Sequence, residues 1–215
     1  MNNSAQFISE VSIWALPTIF AIILHEVMHG VVALWLGDDT ARRAGRLTLN
    51  PLSHIDLFGT ILLPALLLFL HLPVFGYAKP VPVDFSRLRN GRTGMMQVAA
   101  AGPATNFVLA ALSALAMRLV LRFVTEPWGP QIAIPLAYML QASVVINVVL
   151  MVFNLFPLLP LDGGRVVTGL LPYKAARAFA RLEPYGFLIL LLLLYTDSVG
   201  RVINPIINAI ARVLL

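Results

Sequence analysis

The 215-residue chain contains no cysteine. Disulfides, thiolate metal ligands and a cysteine nucleophile are therefore excluded together, and any metal must be held by His, Asp or Glu. Charge is also scarce. Only 12% of residues are Asp, Glu, Lys or Arg, about half the roughly 25% of an ordinary soluble domain. The first ten residues, MNNSAQFISE, lack Lys and Arg. The basic start of a signal peptide is thus missing, and the first apolar segment is expected to be retained. No basic stripe interleaved with aromatics accompanies the net charge of +5, which argues against nucleic acid as a partner and for lipid headgroups and topology as the reason for it.

What remains is apolar. Hydrophobic residues make up 59% of the chain and the mean hydropathy is +0.86, values that place it in a lipid bilayer. Long apolar helices are expected over about Val11–Leu36, Met95–Val124 and Gln131–Phe156, with shorter apolar runs at Leu57–Leu70, Tyr185–Tyr195 and Val202–Leu215. The fold class that follows is an all-α polytopic membrane protein, a bundle of about four to six transmembrane helices. It reads as one integral-membrane domain over 1–215, with a core at 11–165 and C-terminal hydrophobic helices at 184–215. The segment GYAKPVPV, Gly76 to Val83, has alternating character and two prolines and reads as an isolated or edge strand. A re-entrant 57–70 run would put eleven Lys or Arg on one face against two on the other; a full crossing gives a weaker asymmetry, so the positive-inside rule favours the re-entrant arrangement. The first and third long helices are then parallel.

Two constellations carry chemistry. His25-Glu26-Val27-Met28-His29 sets two imidazoles at i and i+4 on one helical face, where both can reach a zinc ion, and rotates Glu26 about 100° away, suited to act on a metal-activated water. At 1.5 Å per residue His25 lies about 16 Å from the Leu36 end, and ionisable groups at such depth are presumed functional. The second runs from Asn154 to Gly164, where Pro157 and Pro160 stop the helix and Gly163-Gly164 allow a sharp turn. Asp162 is therefore delivered from unwound backbone, which is tolerated in a membrane only when buried in protein or lining a wet cavity. With parallel helices, Asp162 and the histidine pair share one side. Two neutral imidazoles and one carboxylate with an open fourth position form the catalytic type of zinc site.

These two motifs, with the run Gly102-Pro103-Ala104-Thr105-Asn106 between them, resemble the site-2 protease family of intramembrane zinc metalloproteases, peptidase family M50. The match extends over residues 20 to 165 in the expected order. The resemblance implies one zinc per chain on His25, His29 and Asp162, with Glu26 as catalytic base. It also implies that Asn154 binds the substrate carbonyl or stabilises the oxyanion, and that the GYAKPV segment pairs with an unwound substrate. The implied substrate is a membrane-spanning protein, and the implied location is the prokaryotic cell membrane. PDZ and CBS modules are not expected.

Several residues stay open between roles. His54, in NPLSHID, is a candidate transition-state hydrogen-bond donor, an alternative ligand or an interfacial polar residue. Gly102, Pro103 and Asn106 are expected to shape helix packing, with Asn106 bonding across helices. The rival function is a zinc or proton transporter, in which the same His and acidic residues form a pathway.

Overall fold

The structure is a computed structural model that describes residues 3–72, 74 and 76–215. Helix α1 runs over Asn3–Trp35 and is followed by a single turn, α2, at Thr40–Arg43. A short 3₁₀ turn at Pro51–His54 leads into a π-helical turn at Leu57–Leu62, which continues as α3, Leu63–Phe69. Then come α4, Gly91–Val120, and α5, Ile134–Asn154. Four shorter helices follow: α6 Asp162–Leu170, α7 Tyr173–Ala180, α8 Glu183–Tyr195 and α9 Ser198–Leu214. Three helical stretches, Val11–Trp35, Gly91–Phe123 and Gly129–Asn154, are long and apolar enough to cross a membrane. A fourth exists if α7 and α8, bent by 66°, count as one broken span, while Leu57–Phe69 is too short. The number of spans is thus three or four among the described residues, at or below the low end of the expected range.

No strand occurs among the described residues, which corrects the expectation for Gly76–Val83. The backbone there is extended but meets no partner strand. Its amides are taken singly by other groups: Tyr77 N–H by the Gly59 carbonyl at 3.0 Å, Lys79 N–H by the His54 carbonyl at 2.9 Å, and Val81 N–H by the Glu26 carboxylate at 3.0 Å. Pro80 and Pro82 have no N–H to offer a ladder.

Interhelical hydrogen bonds set the directions of the long helices. His25 meets Asn106 and His29 meets the Val98 carbonyl, so position rises along α1 as it falls along α4, and the two are antiparallel. Asn106 meets Asn147 and Ser113 meets Ser143, so α4 and α5 are antiparallel as well. Helices α1 and α5 are consequently parallel. The Arg89 amide donates to the Leu36 carbonyl at 2.9 Å, so the chain from Gly37 to Leu88 leaves α1 and returns to the same level without a net crossing. Small residues line the closest approaches: Ala110 and Ala114 of α4 lie in one buried cluster with Val144, Val148 and Met151 of α5 and Val199 and Ile203 of α9. Close backbone approach of this kind is what drives helix association where lipid removes the hydrophobic incentive.

The return of the loop is clasped by Asp38, which is 0% exposed. Its carboxylate accepts from Thr40 N–H at 3.0 Å, from the Thr40 hydroxyl and from Asp84 N–H at 2.7 Å. Burial works to raise its pKa, but these hydrogen bonds win and hold it below the ordinary 3.8. Because the folded value is the depressed one, the stabilisation is present above pH 3.8 and is lost as pH falls through the lower folded value. Asp38→Ala is expected to cost about 1–3 kcal/mol in a denaturation experiment near neutral pH and to flatten the acid limb of the stability curve. An unchanged acid limb would show that the clasp carries no weight.

Candidate metal centre

The distances at the centre of the bundle bring three of the expected residues together. His25 Nε2 and His29 Nε2 lie 3.1 Å apart, and Asp162 Oδ2 lies 3.1 Å from the first and 3.3 Å from the second. His25 and His29 stack one turn apart on α1, both buried. Asp162 reaches them from the first residue of α6, after the break that ends α5. That break folds back so tightly that a Cβ on Gly163 would sit 2.1 Å from the Leu155 carbonyl oxygen. Only glycine allows the carboxylate to be presented this way.

The tautomer of each neutral imidazole is set by its outer nitrogen. His29 Nδ1 lies 2.7 Å from the Val98 carbonyl oxygen, which can only accept, so Nδ1 carries the proton. His25 Nδ1 lies 2.5 Å from Asn106 Oδ1. The Asn106 amide is oriented by Nδ2 donating to the Ala21 carbonyl at 3.3 Å, so here too the ring donates. In the neutral rings both Nε2 atoms therefore carry lone pairs, and they converge on Asp162 Oδ2, a buried atom without a hydrogen-bond donor. Only positive charge at their centre lets three lone-pair donors meet. Their separations lie close to the roughly 3.3–3.6 Å edges of a tetrahedron with bonds of about 2.0–2.2 Å, and two nitrogens with one carboxylate oxygen suit zinc. The donor set thus fits a metal ion, and His25, His29 and Asp162 are the residues that could hold it.

Gly102 forms the floor of the site. A Cβ there would lie 2.5 Å from His29 Nε2 and 2.6 Å from His25 Nε2, closer than real contacts allow. Gly102→Ala is accordingly expected to lower zinc affinity by about 10–100-fold while the helical content holds. Wild-type affinity in that variant, measured by chelator competition, would contradict the close approach.

The sequence model of peptidase family M50 matches residues 122–195, which include Asp162 but not the histidine pair. YwhC of Bacillus subtilis, named a zinc metalloprotease, is 36% identical over 191 residues, covering 89% of this chain and 84% of that protein. The chain belongs to peptidase family M50. Rip2 of Mycolicibacterium smegmatis, also named a zinc metalloprotease, is 30% identical over 184 residues, 85% of this chain and 66% of that protein. No solved structure matches. The chain is thus a metalloprotease built on helices capable of spanning a membrane, and a transporter is not favoured.

The remaining candidate residues of this metalloprotease surround the trio without joining it. Glu26 and Asn154 line both of two adjoining cavities, of about 640 and 540 Å³, that also share His25, Tyr77, Ala78 and Leu161. One Glu26 carboxylate oxygen is engaged by Val81 N–H. Asn154 donates one amide N–H back to the Leu150 carbonyl at 2.9 Å, which leaves the second for the cavity. His54 lines the smaller cavity with His25 but is not among the three converging ligand atoms. Its Nε2 lies 2.9 Å from the Thr48 carbonyl, so Nε2 holds the proton and the neutral ring has only an acceptor left at Nδ1. Donation by His54 to an oxyanion therefore needs the imidazolium.

The partners that set the tautomers lie on another helix, α4. Asn106 was expected to bond across helices, and it does; that its partner is His25 was not legible. A buried asparagine in an apolar helix is the available signal, since such a residue needs a polar partner at depth.

Proposed function

We propose that this protein is an intramembrane protease that hydrolyses peptide bonds within or near the transmembrane segments of other membrane proteins. The observation that carries the reading is the convergence of His25 and His29, on the long apolar helix α1, with Asp162 at the start of α6, beside two cavities that both reach Glu26. In this reading the three residues hold one zinc ion, which when bound supplies Lewis-acid chemistry: acidification of water and polarisation of a carbonyl. Glu26 accepts the proton from the attacking water and returns it to the leaving amine. The free N–H of Asn154 donates to the scissile carbonyl oxygen as charge builds on it. His54 walls the smaller cavity, where its Nδ1 is a buried atom without a partner beside the path of a substrate.

The extended segment supports a substrate without helical structure. Tyr77, Lys79 and Val81 have committed their amides to the protein frame, Arg46 engages the Lys79 carbonyl at 2.8 Å, and Pro80 and Pro82 have none to give. The peptide unit of Ala78, which lines both cavities, keeps a donor and an acceptor for an incoming backbone. Pairing of this kind is how extended peptides gain affinity from a strand edge. The smaller cavity is walled by Ile19, Ile22 and Ile23 of α1, apolar side chains suited to a substrate arriving from lipid. The bacterial sources of both relatives support a prokaryotic cell membrane as its location.

The test is cleavage in proteoliposomes of a panel of single-span proteins, with cut sites mapped by mass spectrometry. Cuts are expected inside or within a few residues of the apolar span. Cleavage confined to soluble loops would defeat the intramembrane reading and leave only the metalloprotease.

A further inference from the structure

The hydrogen bond that orients His25 is one link in a longer buried chain. Asn106 Nδ2 donates not only to the Ala21 carbonyl but also, at the shorter distance of 2.8 Å, to Asn147 Oδ1 on α5. Asn147 in turn directs its own Nδ2 to the Ser143 carbonyl at 2.8 Å and towards the Ser143 hydroxyl at 3.3 Å. That hydroxyl is paired with Ser113 Oγ of α4 at 2.8 Å. Asn106 is 0% exposed and Asn147 1%, so both are shielded from bulk water. Every link has a direction. The Ser143 carbonyl only accepts, so Asn147 must place Nδ2 there and Oδ1 towards α4. That oxygen only accepts, so Asn106 must place Nδ2 against it and Oδ1 towards His25. His25 Nδ1 must then donate, and its Nε2 lone pair is turned into the metal pocket.

A reversed Asn106 amide would face His25 Nδ1 with a donor. The ring would answer with the other tautomer, whose Nε2–H cannot bind a metal. From this polarity we infer that Asn147, which touches neither metal nor substrate, is a positioning residue. With the longer contact to the Ala21 carbonyl, it holds Asn106 in the orientation that keeps His25 a ligand, and so couples α5 to the metal-binding face of α1. The inference rests on the assignment of His25, His29 and Asp162 as the zinc site.

The test is zinc affinity, measured by chelator competition on the purified full-length protein, with helical content followed by circular dichroism. Asn147→Leu keeps the volume and removes the acceptor, and it is expected to weaken zinc by about tenfold, at the lower end of outer-shell effects. Asn147→Asp, neutral in this buried setting, can donate to the Ser143 carbonyl and accept from Asn106, and should keep affinity within about twofold, inside the scatter of a conservative change. A double-mutant cycle separates positioning from general loosening. If Asn147 acts through Asn106, adding Asn147→Leu to Asn106→Leu produces no further loss, whereas a merely structural role gives the full tenfold again. Should Asn147→Leu not fold, Asn147→Ser, whose hydroxyl is one bond too short to reach Asn106, carries the same expectation. Wild-type affinity in these variants, or additive losses in the cycle, would overturn the inference. A wild-type protein that holds no zinc would instead remove the site assignment on which it stands.

Discussion

Asp162→Ala is expected to leave the purified protein essentially without zinc, with affinity down by more than about 100-fold, since removal of a mere outer-shell partner already costs 10–100-fold. Two effects act together. The variant loses one of three ligand atoms, Oδ2 at 3.1 and 3.3 Å from the two Nε2 atoms. It also loses the only negative charge among the ligands, so a divalent ion on two neutral imidazoles would sit at +2 in a low-dielectric interior rather than +1, and unpaired charge there is strongly disfavoured. Helicity should survive, because alanine is a strong helix former and Asp162 occupies only the first residue of α6. The measurement is metal content per chain together with chelator competition. Stoichiometric zinc at unchanged affinity in Asp162→Ala would remove the carboxylate from the site and with it the proposed architecture.

Glu26→Gln is expected to reduce cleavage by about 10²–10⁴-fold, the contribution of a positioned general base, with zinc content unaltered. The substitution is informative because glutamine keeps a carbonyl oxygen able to accept from Val81 N–H, which lies 3.0 Å from the native carboxylate. The extended segment then stays where it is, and what disappears is proton acceptance. Glu26→Ala removes both, so a comparison of the two variants separates chemistry from placement of residues 76–83. Full activity in Glu26→Gln would end the assignment of Glu26 as base. Loss of zinc in the same variant would show that Glu26 acts on the metal site instead.

Much of the site was legible because it obeys local periodicity. His25 and His29 are four residues apart, and a helix must stack residues at that spacing. Asp162 was reachable by a longer argument, since Pro157, Pro160 and the glycine pair announce a break and the arrangement of charges indicated parallel helices. The strand expected at Gly76–Val83 failed for an instructive reason. Period-two alternation reports an extended backbone, but whether a ladder forms depends on what lies alongside, and here the neighbours are single carbonyls and a carboxylate.

Composition and pattern by themselves determined that the chain is apolar enough for a membrane, that it has few long helices, and that two imidazoles and a carboxylate could serve as metal-binding groups. These properties depend on residue type and on spacings within one helical turn or one break. Which nitrogen of His25 faces the candidate metal pocket was decided only by tertiary structure, through the hydrogen bonds to Asn106 and from it to Asn147, which stand 81 and 122 positions further along the chain. The closeness of Gly102 to both rings was decided in the same way. Tautomer and clearance are set by groups that come together only when helices pack, and no periodicity in the sequence encodes which helix will lie against which.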